Sequence, residues 1–140
     1  MSEEEAQQLL YQMQMLEGYL TELSQKESSL LGVIREAISA TETIKNSKIK
    51  SDSETLVPIG MGTYMKATLS PNQKVILNIG GGAAIEKDQD SAVNWIESRI
   101  KEMEIVLQQT NTQKQQVLAS LEGGKQKMNQ LMQQSGQTKK

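Results

Sequence analysis

Gly80-Gly81-Gly82 is the stretch whose residue types could hold a phosphate. A phosphate cradle needs a strand leading into a helix N-terminus, with a Lys or an acidic partner following. Here strand-forming residues stand on both sides, so the three glycines read as a hairpin turn. The chain has no His and no Cys. Disulfides, zinc sites and thiol chemistry are therefore closed to it, as are most nucleophilic and acid–base schemes. Carboxylates are present, but no convergent acidic pair stands out, and Glu3-Glu4-Glu5 reads as a complement to a helix dipole. The sequence thus points to no enzyme, no metal and no cofactor. What it offers is apolar side chains that bind without reacting, Met above all, whose flexible thioether suits many different partners.

The elements that would position them are set by composition and period. At 140 residues the chain fits one domain, yet only 36% of it is hydrophobic, Phe is absent and Trp95 is the single Trp. A compact aromatic core is not expected; long helices and shared sheets, which gain burial from partners, are. No apolar run approaches the ~20 residues that cross a bilayer, and the acidic N-terminus is unlike a secretory signal. A cytoplasmic setting is expected. The net charge of −2 is uneven: −5 over residues 1–45, 0 over 46–90 and +3 over 91–140. No block is dense enough for a nucleic-acid footprint, but the first and last thirds would attract each other side by side.

From Ser2 to about Lys45 there is no Pro, and Ser2 with Glu5 makes a capping-box signature. Ala6, Leu9, Met13, Leu16, Leu20, Leu23, Leu30, Ile34, Ala37 and Ile44 recur at steps of three and four, interrupted by Glu27 and Thr41. The last third repeats this with Val93, Ile96, Ile100, Met103, Leu107, Val117, Leu121, Met128 and Leu131, interrupted by Thr110, Lys114 and Gly124. Of these 24 seam positions 19 are apolar, where overall composition would give about nine, so the pattern is coiled coil. Paired from the centre outward, Ile44 with Val93 through Ala6 with Leu131, the residue numbers always total 137. That is the register of an antiparallel helical hairpin. It sets Glu27 against Thr110 with Lys114 one layer away, and a Glu27–Lys114 pair would fix register as buried polar seam residues do.

Between the helices the period changes. Leu56–Ile59, Thr63–Leu69, Val75–Ile79 and Ala83–Lys87 are short and rich in β-branched residues, separated by Gly60-Met61-Gly62, Ser70-Pro71-Asn72 and the three glycines. Four strands in two hairpins follow. Pro58 suits an edge or a strand end, and Asp88, Asp90 or Ser91 caps the second helix. Val75, Ile76, Leu77 and Ile79 form a nearly continuous apolar run that belongs to a strand covered on both sides. The sheets either fold back on the helices or pair with sheets of other chains; the second is favoured because slender helices offer little cover. Trp95 is expected to pack against the sheet.

The strand region resembles the prefoldin α class. Glu54–Ala67, with Leu56-Val57-Pro58, a glycine turn, Tyr64 and Lys66-Ala67, is similar to one family segment, and Val75–Lys87 to the strand, glycine turn, strand and Glu-Lys that follow it. The motif match covers some thirty residues and the architecture nearly the whole chain. The resemblance implies an α+β fold: a long antiparallel two-helix coiled coil (1–46 and 89–134) with an insert of two β-hairpins (47–88) that joins an oligomeric β-barrel, and a disordered tail (135–140). It implies a chaperone of two α and four β subunits that holds unfolded proteins at the coiled-coil tips without ATP and passes them to a group II chaperonin. A structural filament or tether of the same fold is the alternative.

On that basis Leu9, Leu10, Met13, Met15, Leu16, Leu121, Met128, Leu131 and Met132 are the candidate client-binding tip. Leu56, Val57, Ile59, Tyr64, Val75, Ile76, Leu77, Ile79 and Ile85 are the candidate subunit interface. Seam members such as Leu9 and Met128 are first of all coiled-coil core, whereas Leu10, Met15 and Met132 lie off the seam. Gly123-Gly124 weakens the second helix where the tip begins, and Gly124 faces Met13 in the register.

Overall fold

A run free of Pro, with three acids in its first turn and a Lys in its last, satisfies both ends of a helix dipole, and α1 spans Ser2–Asn46. β1 (Ser53–Gly60), β2 (Thr63–Leu69), β3 (Val75–Gly80) and β4 (Ala83–Lys87) follow, and α2 runs Gln89–Thr138. The computed structural model describes residues 2–46 and 52–138, with side chains from 3 to 134 in that range. The Ser2–Glu5 capping box turns on a side chain outside the described residues, as do 47–51 and the last two residues of the tail. α2 continues to Thr138, four residues past the expected end. The Gln-rich sequence there contains no Pro to stop it.

α2 starts at a side-chain cap. Asp88 Oδ1 accepts a hydrogen bond from the Ser91 amide at 2.7 Å, and Asp88 O accepts one from Ala92 N at 2.9 Å. The backbone bond from Ser91, its hydroxyl, and nearby Lys87 and Lys74 hold the Asp88 carboxyl below the usual Asp range. Of the three candidate caps, Asp88 is the one that closes the helix end. Gln89 is buried, and its Nε2 donates to Gln73 O at 3.1 Å, tying the helix start to the turn before β3.

The contacts divide the chain into two units, residues 33–103 and residues 1–32 with 104–140. In the first, each hairpin is its own antiparallel two-stranded sheet. β1 and β2 pair from Ser53↔Leu69 to Gly60↔Thr63, and β3 and β4 from Val75↔Lys87 to Gly80↔Ala83. Both close by the same device. The register shifts one residue before a glycine, and a two-residue turn follows with positive φ at both positions: Met61 and Gly62 at +46° and +71°, Gly81 and Gly82 at +61° and +78°. That is the turn whose twist matches the flanking strands. Glycine suits it freely, but Met61 adopts the left-handed region with a side chain, fully in solvent.

The same unit has a core of Ile44, Leu77, Ala92, Val93 and Ile96, with Ala37, Val75, Ile85, Trp95 and Ile100 packed against it. The β3–β4 hairpin therefore folds back on the helices with one face, whereas the slenderness of the helices favours pairing with other chains. The reason is local: Ala92 is fully buried, and so small a side chain at the start of α2 lets the strand approach closely. Trp95 packs as expected on this strand-bearing cluster, and the Arg99 guanidinium lies over its ring, 4.8 Å from the centroid.

The second unit holds the outer parts of both helices. Leu23, Val117 and Leu121 are buried, with Met13, Leu16 and Leu20 packed around them. Thr110 is almost fully buried in the seam, and its hydroxyl donates to the Val106 carbonyl of its own helix at 2.8 Å. Across the seam Lys114 Nζ stands 3.4 Å from Glu27 Oε2, with both side chains about three-quarters buried. The contact is an ion pair without hydrogen-bond geometry, and Glu27 Oε2 has no hydrogen-bond partner among the described residues.

Candidate functional site

All 24 seam positions expected from the period are buried or half-buried, polar ones included. The register is visible at contact level: a Cβ built on Gly124 would stand 3.1 Å from Met13 Cγ and 3.2 Å from its Sδ. This packing sorts the tip residues. Leu121 is closed in the core, and Leu9, Met13, Leu16, Met128 and Leu131 are half-buried in the seam. Leu10, Met15 and Met132 are 51%, 60% and 67% exposed. Lying off the seam, they have no packing duty in the coiled coil, so they are free apolar surface near the helix ends, as Ile105 and Leu118 are further along α2.

Two more members of that surface escaped the sequence reading. Tyr11 and Tyr19 are exposed and line one groove along α1 with Met15, Gly18 and Glu22. Their spacing of eight, bracketing Met15 at four from each, was the available signal: it is helical periodicity outside the seam, running from the far face at Tyr11 to the seam's edge at Tyr19.

In the hairpin unit the interface candidates divide likewise. Leu77 is buried, and Val75 and Ile85 lean on the same core. Ile76 and Ile79 stay exposed. The β1–β2 hairpin is apolar and open on both faces. Val57 pairs with Met65 on one face, while Leu56 and Tyr64 occupy the other, and all four side chains are exposed together with Ile59. A two-stranded hairpin with both faces in water is marginal by itself. Both apolar faces are left uncovered by the described residues of the chain.

Among the described residues, neither unit brings a cluster of reactive groups together. Among the described residues no group of three or more His, Cys, Asp or Glu could hold a metal. No helix among them is long and apolar enough to cross a membrane. What the surfaces can do is bind: an adaptable Met, Leu and Tyr surface near the helix ends, and apolar strand faces at the hairpins.

Comparison with known proteins finds the same arrangement. The family model described as prefoldin subunit matches residues 3–135. The chain is 54% identical over 143 residues to prefoldin subunit alpha of Nitrosopumilus maritimus, covering 100% of this chain and 99% of the relative. It is 32% identical over 120 residues to prefoldin subunit alpha of Pyrococcus horikoshii, covering 84% and 78% respectively. Among solved structures, filamentous PFD from Methanocaldococcus jannaschii, determined by cryo-EM, superposes with a TM-score of 0.57 at 20% identity, over 86% of this chain and 95% of that one.

Proposed function

Since the chain belongs to the prefoldin family and is a chaperone subunit of its α type, we propose that it acts as an ATP-independent holdase, gripping unfolded proteins with the helix-end surface of the coiled coil. One observation carries this: Leu10, Met15 and Met132 are exposed, off the seam, and near the ends of two helices that, among the described residues, pack there on each other. Helix ends without further packing are marginally stable. Loosening there adds half-buried Met13 and Met128 to the surface offered. Binding through apolar, flexible side chains selects for exposed apolar segments, which unfolded chains display and folded ones hide.

The hairpins supply assembly. Exposed apolar residues on both faces of β1–β2, and Ile76 and Ile79 on β3, would be covered by strands of β subunits in a hetero-hexamer of two α and four β chains. Captured proteins would then pass to a group II chaperonin in the cytoplasm. The filament reading draws on the filamentous neighbour, which at 20% identity speaks for the fold.

The test is light scattering of a chemically unfolded protein diluted into this chain and its β partner without nucleotide, alongside sedimentation. Suppressed scattering by a finite complex supports the holdase. A well-formed complex that leaves aggregation untouched, or open-ended polymers of this chain alone, would move the function to a scaffold.

A further inference from the structure

The Tyr-lined groove on α1 has a chemistry distinct from the rest of the helix-end surface. Tyr11, Met15, Gly18, Tyr19 and Glu22 follow one another by four, three, one and three residues, a single stripe on the helix. They line one groove. Tyr11 and Tyr19 are 64% and 42% exposed, and Gly18 has nothing within 4 Å of where a Cβ would lie, so it forms an open notch in the stripe. Tyr11 lies opposite the seam, where coiled-coil packing requires no aromatic ring, and Tyr19 stands at the seam's edge, where it also lines a recess with Gln113 and Gln116 of α2. On α1 itself the charge is one-sided: from Ser2 to Gln25 there are five acids and no base. Glu22 stands at the groove itself. On α2, Lys114 is held by Glu27, and the register sets Lys125 and Lys127 beside Gln12 and Leu10, at the outer end of the stripe and about ten residues from Glu22, so the acidic end of the groove is the one at Tyr19 and Glu22.

We infer that this groove selects unfolded segments in which an aliphatic or aromatic residue adjoins Lys or Arg. An apolar side chain lies on Met15 and in the Gly18 notch, while the neighbouring cation sits over a Tyr ring and within reach of Glu22. Cations favour the faces of aromatic rings, and a field of one sign concentrates the opposite charge near it. An apolar segment rich in Asp or Glu meets the same apolar contacts against an opposing field. This inference rests on the holdase reading and adds a preference to it.

The test uses the assembled complex and three labelled, unstructured peptides with identical apolar residues, interleaved with Lys, Glu or Ser. Fluorescence anisotropy is expected to show the Lys peptide binding about tenfold tighter than the Glu peptide at low salt, the advantage falling to about twofold or less at ~0.5 M salt as screening shortens the field. Replacing both rings (Tyr11→Leu with Tyr19→Leu) keeps apolar area and helix propensity. It should leave the Ser peptide's affinity in place and reduce the Lys peptide's by about threefold or more. Glu22→Gln should narrow the Lys-to-Glu ratio with no change in the helix melt. Equal affinity for all three peptides, with aggregation suppression intact, would overturn the preference and leave the holdase standing. Absence of both peptide binding and suppression would overturn the two together.

Discussion

Met13 packs directly onto the backbone of Gly124, so closely that a Cβ there would lie 3.1 Å from its Cγ and 3.2 Å from its Sδ. The neighbouring Gly123 is open, with nothing within 4 Å of its Cβ position. The two glycines therefore answer differently to alanine. Gly123→Ala should raise stability by about 0.5–1 kcal/mol through helix propensity alone. Gly124→Ala gains the same propensity but must shift Met13 by a few tenths of an ångström, so it should gain less. Urea melts followed by circular dichroism check this; an equal or larger gain at 124 would mean that Met13 moves aside freely. If loosening exposes Met13 to unfolded proteins, Gly123→Ala should also slow their capture.

Glu27 and Lys114 pair within the seam, and removing one of them leaves the other with no partner. Lys114→Leu should cost roughly 1–3 kcal/mol, because Glu27 Oε2 is buried and already lacks a hydrogen bond. Replacing both by Leu should recover that loss, since an apolar layer removes the buried charge. What the double variant should lose is register. The chain has no native cysteine, so introduced pairs report cleanly. Leu20→Cys with Val117→Cys should cross-link in the parent register, and Leu16→Cys with Val117→Cys only when the helices slip one layer. If the double variant, Glu27→Leu with Lys114→Leu, yields the first cross-link alone, the pair has no register role.

The seam was legible because a helical period repeats the same demand at every third or fourth residue, and burial at Leu23, Val117 and Leu121 is the direct consequence. Turn chemistry made both hairpins legible for a similar reason, since three successive positive φ values at 60–62 and again at 80–82 favour glycine, which fills every one of these positions except Met61. The start of β1 was less visible: Ser53-Glu54-Thr55 is polar and carries no apolar signal, although it pairs with Leu69, Thr68 and Ala67. The docking of β3 on the helices depends on Ala92, a residue too small to register in a hydrophobic pattern. Tyr11 and Tyr19 were missed because attention to the seam discounts the positions outside it. The bond from Gln89 to Gln73 joins residues sixteen apart, and no local rule reaches that far.

Leu77 and Val57 sit in neighbouring hairpins yet should fail in opposite ways. Leu77 is buried in the chain's own core, so Leu77→Ala should cost about 2–4 kcal/mol in a urea melt. Val57 is 43% exposed opposite Met65, so Val57→Lys should leave the same melt within about 0.5 kcal/mol. Assembly should reverse the ranking. With the β partner present, Val57→Lys puts a charge where an apolar face must be covered, and sedimentation should show loss of the complex. Normal assembly of Val57→Lys would take the β1–β2 hairpin out of the interface.

Asp88 links the start of α2 to pH. Its carboxyl is held below the usual Asp range, first by the Ser91 amide and then by the Ser91 hydroxyl. A folded-state value below the unfolded one means that ionised Asp88 stabilises the fold at every pH above the unfolded value, and that this contribution disappears as pH falls through the folded one. Asp88→Ala should therefore melt earlier than the parent at neutral pH. The two melting curves should stay apart down to the ordinary Asp value of 3.8, then converge as acid protonates the cap. Other carboxylates also titrate there, so the difference between the two proteins is the quantity to follow. Asp88→Ser, which can still accept the Ser91 amide bond without a charge, should keep most of the parent's neutral-pH stability and lose the pH-dependent part. A gap between parent and Asp88→Ala that stays constant through the acid range would show that the carboxylate's charge contributes nothing at this helix end.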